Sequence, residues 1–305
     1  MNVHNVEPVA PQLSRIRTFL FWALAIVWFG EMVLWGAFPN IWTYFWNIIP
    51  PANPQLALLL FITEAVEAPA KGALGIMAVF GLRSKNPSTR TALFASMALV
   101  PPLNLLFPFR EQGFLLEPVA VATVLSIILW GSFFLFWEPT PQLKPKEIRG
   151  SNRLPPSRWE IYQYVWFAVN STVLTLVAFL LLFWPGTSLN FVFPCLSSLL
   201  NTASEGLPSL IYTNLAAGTH VLALAIASWI ATVNCRNNPT LRQAMTIAST
   251  VNAGLFLGFP LGQVILEFGG TCAESSILIV FVPLFIGWLF YSVFSYRVNP
   301  RYDSE

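Results

Sequence analysis

Three charged residues lie in a segment whose other residues are almost all apolar. Glu64, Glu67 and Lys71 fall within residues 55–82, a run long enough to cross a bilayer as a helix. Positions i, i+3 and i+7 of a helix share one face, so we expect these side chains to point the same way. A charge near the bilayer centre costs roughly 2.5–3.5 kcal/mol, and such residues normally face the interior of a helix bundle. The functional site is therefore predicted at this face.

The charges on this face are suited to proton transfer. Lys71 follows Glu67 by four residues, a spacing that favours an ion pair and can keep one carboxylate ionised. Glu31, in the first apolar run, is expected at the depth of Glu64, and a neutral carboxylic acid beside an ionised one forms a proton donor and acceptor pair. We predict Glu31, Glu64, Glu67 and Lys71 as the catalytic group. The alternative is that Glu67 and Lys71 form a neutral structural pair.

Further polar residues are expected near these carboxylates. Asn104 and Glu117 reach a similar depth on the third and fourth apolar runs, and we predict that they contact the substrate. Pro69 and the pair Pro101–Pro102 remove backbone donors and free carbonyl groups beside the charges, which favours a wet cavity. His220, on the sixth run, is predicted as a substrate contact or as a hydrogen-bond partner between helices.

Composition assigns the chain to the integral membrane proteins. Its 305 residues are 55% hydrophobic and 10% charged, and the mean hydropathy is +0.63. A net charge of +2 without a basic stripe argues against a nucleic-acid partner. The sequence has no phosphate-binding glycine loop, no Ser-His-Asp pattern and no metal-ligand spacing, so we expect no cofactor and no metal. The expected partners are membrane lipids and a hydrophobic, lipid-like substrate, and the oligomeric state is left open.

Eight apolar runs predict an all-α, polytopic helical bundle. With the N-terminus inside, all Lys and Arg residues except Lys71 and Arg110 fall on the cytoplasmic side, so both termini are predicted to be cytoplasmic. The membrane would be the endoplasmic reticulum in a eukaryote or the inner membrane in a bacterium. Cys195 and Cys272 fall on the outer face, either as a disulfide or as two unpaired residues. The runs are 18–37, 55–82, 91–109, 116–137, 160–184, 208–233, 243–264 and 275–296.

Two segments half a chain length apart resemble each other. Residues 86–109 align without gaps with residues 238–261, which indicates an internal duplication. We predict an N-terminal four-helix repeat in 1–137, a cytoplasmic linker in 138–160 and a C-terminal repeat in 161–305. Four spans per unit make the repeats parallel. The second repeat lacks intramembrane carboxylates, so the first is expected to be the active half and the second a scaffold.

Residues 27–110 resemble the emopamil-binding/EXPERA family, which includes the sterol 8,7-isomerase. In that family an intramembrane glutamate precedes a Gly-Pro-Leu by two helical turns, the helix ends in Leu-Arg, and a proline and an arginine open the next helix. The first helix carries another glutamate followed by a tryptophan. The residues with this spacing here are Glu64, Gly72, Leu82, Arg83, Pro87 and Arg90, with Glu31 in WFGEMVLW for the first helix.

The resemblance implies an enzyme that encloses a hydrophobic ligand among its helices. Glu64 would protonate a carbon–carbon double bond, Glu31 would act as a second acid/base or stabilise the cation, and Trp130 would contact the substrate. Our first prediction is therefore an isomerase or cyclase of a sterol-like or terpenoid lipid. The alternatives are a proton-coupled transporter that uses Glu31 or Glu64 as its proton site, and a non-catalytic sterol-binding or assembly protein.

Overall fold

All regular structure in the described part of the chain is helical, as composition predicts. The computed structural model describes residues 11–38, 57, 60–61, 65–84, 87–108, 116–135, 158–192, 207–234, 239–258 and 286–287. The helices are α1 (Pro11–Ala37), α2 (Glu67–Arg83), α3 (Pro87–Ala98), α4 (Val100–Leu106), α5 (Leu116–Leu135), α6 (Arg158–Phe183), α7 (Pro185–Val192), α8 (Leu207–Asn234) and α9 (Pro239–Gly258).

Three of these helices are long and apolar enough to cross a membrane: Arg15–Ala37, Tyr164–Phe183 and Leu210–Val233. A shorter apolar helical stretch covers Ala120–Phe133. These helices support the class of membrane protein that composition indicates. The eighth predicted run, 275–296, lies outside the described residues except for two positions, and the count of eight spans stays a prediction.

Helix α2 is the central element of the described bundle. It packs against α1, α3, α8 and α9, and most of its 17 residues are buried. Many of these residues are alanine or glycine, which allow neighbouring helices to approach closely. A Cβ atom added at Gly75 would lie 2.9 Å from the Phe29 ring of α1, and one added at Gly81 would overlap the Phe21 ring.

Two predicted spans are interrupted, each three residues before a proline. The helical path of residues 55–82 breaks at Val66, before Pro69, and that of 91–109 breaks at Leu99, before Pro102. Proline lacks an N–H group and therefore cannot bond the carbonyl four residues earlier, which weakens the helix there. Val66 keeps helical angles (φ −63°, ψ −25°), so the chain continues in nearly the same direction.

Hydrogen bonds between polar side chains join the helices of the C-terminal half. Asn170 on α6 donates to the hydroxyl groups of Ser228 on α8 (3.1 Å) and Ser249 on α9 (3.2 Å). Ser171 lies 2.8 Å from Ser228 through their hydroxyl oxygens. All four side chains are buried, and such bonds between helices help to fix their packing in an apolar environment.

Replacing Gly81 with alanine should lower the free energy of unfolding by about 1–3 kcal/mol, because the new Cβ overlaps the buried Phe21 ring. Phe21 packs edge-on against Phe94 at 5.8 Å, which limits its movement. The matched control is Gly30→Ala on α1, where a Cβ meets open space. That control should raise stability by up to about 1 kcal/mol through helix propensity. Thermal unfolding in detergent measures the stability of both variants. Equal stabilities of the two variants would contradict the described contact of α1 with α2.

Candidate functional site

The Lys71 ammonium group lies between two carboxylates. Its Nζ atom is 2.8 Å from Oε2 of Glu31 on α1 and 2.9 Å from Oε2 of Glu67 on α2. Lys71 and Glu67 are only 2% and 1% exposed, whereas the Glu31 side chain is 28% exposed. The i,i+4 pair expected from sequence is therefore present, and Glu31 shares the same cation. Glu31 is the member of this triad that solvent or a ligand can reach most directly.

Close packing at the next residue holds the two helices together. A Cβ atom at Gly72 would lie 2.8 Å from both Met32 of α1 and Leu255 of α9. The absence of a side chain at Gly72 therefore lets α1 approach α2 beside Lys71. This approach brings Glu31 within ion-pair distance.

Two tryptophans on α1 surround the charged groups. The Lys71 Nζ atom lies 4.2 Å from the centroid of the Trp35 ring, a cation–π contact. Trp28 packs edge-on against His220 of α8, with the ring centroids 5.5 Å apart. Trp28, Glu31 and Trp35 are spaced by three and four residues, so they share the face of α1 that meets α2. Both rings are at most 5% exposed.

His220 brings a third helix to this group. Its Nδ1 atom is 2.7 Å from the carbonyl oxygen of Ala216, and because a carbonyl only accepts, Nδ1 carries the proton of this bond. The same atom lies 3.8 Å from Oε2 of Glu67, too far for a hydrogen bond. The neutral ring with this tautomer has Nε2 as an acceptor. We call Glu31, Glu67, Lys71, His220, Trp28 and Trp35 the Lys71 cluster.

Two buried polar atoms of the Lys71 cluster have no hydrogen-bond partner within the described part of the chain. They are Oε1 of Glu67 and the indole Nε1 of Trp28. Buried polar groups are nearly always paired, because leaving one unpaired costs about 1–3 kcal/mol. One acceptor and one donor of the cluster are therefore available to another molecule.

Asn104 and Trp130, both predicted to contact the substrate, join helices. Thr219, next to His220 on α8, donates its hydroxyl proton to Oδ1 of Asn104 at 2.6 Å. The Trp130 indole donates at 2.9 Å to the Ala98 carbonyl, which Pro102 leaves without its helical donor. Their roles in substrate binding stay predictions. His220 lies in the Lys71 cluster.

Two predicted site residues cannot be placed by their side chains. Glu64, the predicted acid, lies outside the described residues, as do Cys195 and Cys272. The backbone of Glu117 lies in the first turn of α5, and its side chain is outside the described part. Within the described ranges no group of His, Cys, Asp and Glu side chains is arranged to hold a metal ion.

Sequence reasoning missed three members of this region. Trp28 and Trp35 flank Glu31 at helical spacing, which is the signal that could have identified them, and Thr219 adjoins His220. The bond between Lys71 and Glu31 was also missed, because it depends on how α1 is rotated about its own axis.

No protein-family model, no curated protein and no solved structure matches this chain. The resemblance of residues 27–110 to the emopamil-binding/EXPERA family therefore stays a prediction.

Replacing Lys71 with methionine should destabilise the protein by about 3–5 kcal/mol, because it leaves two carboxylates without their buried cation. The triple variant Lys71→Met, Glu31→Gln and Glu67→Gln removes the charges together and should recover most of that loss. Unfolding of both proteins in detergent, followed by circular dichroism, gives the comparison. A Lys71→Met protein as stable as the parent would show that the ion pairs have no structural importance.

Proposed function

We propose that this protein is a proton-coupled membrane transporter whose proton site is the Lys71 cluster. The observation that carries the proposal is that the cluster draws on both halves of the chain. Glu31, Glu67 and Lys71 come from the N-terminal half, and His220 comes from the C-terminal half. In many carriers the coupling-ion site lies where two structural repeats meet, so that relative movement of the repeats changes access to it.

The helix contacts support two parallel repeats in 1–137 and 161–305. In the N-terminal half, α2 contacts α1 and α3. In the C-terminal half, α8 contacts α6 and α9 in the same chain order. Across the halves, α2 contacts α9 and α3 contacts α8. Helices α3 and α9 also begin at the matching prolines, Pro87 and Pro239, of the aligned segments. Helices α2 and α8 would then lie at the centre of the proposed junction.

The charges of the Lys71 cluster fit a site that is loaded by one proton. Two ionised carboxylates and one ammonium group sum to one negative charge when His220 is neutral. Binding one proton makes the cluster neutral, and a neutral cluster is easier to enclose in an apolar environment. Glu31 is its most exposed carboxylate and is the proposed entry point. Protonation there would release Lys71 to pair with Glu67 alone.

Membrane vesicles that contain the full-length protein provide the test. We expect at least one solute of a small-molecule cell extract to accumulate or be depleted when a pH gradient is imposed, and this change should vanish with an uncoupler. Glu67→Gln should reduce it by about tenfold or more, because the remaining charges of Glu31 and Lys71 already sum to zero and no longer favour binding of a proton. Mass spectrometry of the vesicle contents gives the readout.

The control for this experiment is Thr172→Val on α6. Thr172 is exposed and donates to the Ala168 carbonyl of its own helix, so the variant should transport like the parent. Unfolding temperatures of both variants separate loss of transport from loss of folding. If vesicles with and without the protein show the same solute contents under the gradient, the proposed transport is wrong.

A second candidate is the isomerase or cyclase of a terpenoid or sterol-like lipid. The observation that favours it is the Trp35 ring, which already stabilises a cation beside two carboxylates, as an enzyme with a carbocation intermediate requires. Glu64 would be the acid and Glu31 the second acid/base. In this case Glu64→Gln should abolish one lipid product in cell extracts while gradient-dependent solute contents stay unchanged. The transporter predicts the opposite pair of results.

A further inference from the structure

We propose that the Lys71 cluster binds a hydroxyl group between Glu67 and Trp28. The two residues contribute the unpartnered atoms of the cluster, Oε1 of the carboxylate and Nε1 of the indole. Their side chains are 1% and 5% exposed, and both approach the His220 imidazole. Two buried polar atoms without a partner thus belong to side chains that lie next to the same imidazole. The other carboxylate oxygen of Glu67 is occupied by Lys71.

The hydrogen-bonding roles of these atoms restrict the ligand. A carboxylate oxygen accepts hydrogen bonds, whereas an indole N–H only donates them. The bound group must therefore donate to Glu67 and accept from Trp28. An ammonium group has donors only, and an ether has acceptors only. A hydroxyl group, including that of water, has both on one atom.

Two molecules can supply this hydroxyl group: water, or an alcohol with an apolar body. Water is the common partner of buried polar groups that have no partner in the protein. An alcohol would place its carbon chain among apolar side chains of α1 such as Met32, which lies beside Gly72 of α2. The binding of a hydroxyl group does not depend on the proposed function. Its role rests on the proposed function, since a hydroxyl group next to Glu67 would exchange its proton with the proton site.

Binding of an alcohol is tested with the full-length protein in nanodiscs, without a proton gradient. The probes are 1-hexanol and pentyl methyl ether, which have the same number of heavy atoms but differ in the donor. Saturation-transfer NMR, with empty nanodiscs subtracted, should show binding of the alcohol and about tenfold weaker binding of the ether. Trp28→Phe keeps a ring against His220 but removes the N–H group, and it should weaken alcohol binding by a similar factor. Trp22→Phe, the same change at an exposed site of α1, should leave binding unchanged.

Binding of water is tested on the same proteins without alcohol. Infrared spectra in H₂¹⁶O and H₂¹⁸O should show an isotope-shifted O–H band of a bound water, which disappears in Trp28→Phe but not in Trp22→Phe. An alcohol signal or a water band that depends on Trp28 supports the inference. Which of the two is observed shows whether the hydroxyl group belongs to an alcohol or to water. If neither the alcohol signal nor the water band depends on Trp28, the proposal is wrong. Intact binding in a protein that moves no solute would overturn the proposed transport alone.

Discussion

The position of the Lys71 ammonium group determines how α1 and α2 can be arranged. A buried carboxylate and a partly exposed one at the contact of these helices would repel each other and would be poorly solvated, so they need a cation at the same depth. Lys71 satisfies both at 2.8 and 2.9 Å, and the face of Trp35 covers the ammonium group. The small residues of α2 are what allow Glu31 to reach it. Packing and electrostatics therefore favour the same register of α1 on α2.

The break before Pro102 leaves a backbone carbonyl without its helical donor, and a side chain of another helix bonds that carbonyl. Trp130 bonds the carbonyl that Pro102 frees, so α5 is attached to the break between α3 and α4. Asn104, just after that break, accepts a bond from Thr219 of α8. Irregular backbone in a membrane is tolerated where protein buries it, and here side chains of other helices do so. The same contacts connect the break to the helix that carries His220.

Local sequence patterns predicted most of the helices and one ion pair. The other contacts of the site join residues that are far apart in the sequence. The apolar runs indicated most of the helices, and the i,i+4 spacing predicted the pair of Glu67 with Lys71. The depth of Glu31 was predicted, but its partner depends on the rotation of α1, which no local pattern fixes. His220 was considered alone because its neighbours come from the other half of the chain. Charge patterning does not identify Trp28, whose importance comes from a buried indole N–H group without a hydrogen-bond partner.

If the two halves arose by duplication, repulsion between like charges would account for a charged cluster on α2 without a matching one on α8. If the alignment of 86–109 with 238–261 is extended toward the N-terminus, Thr219 corresponds to Glu67 and Ala223 corresponds to Lys71. Helices α2 and α8 are in contact, so a second set of charges on α8 would lie close to the first. Two such clusters would add their net negative charges in an apolar environment, where like charges repel strongly. A single charged cluster that includes a neutral imidazole from the C-terminal half avoids this cost and still contacts both halves.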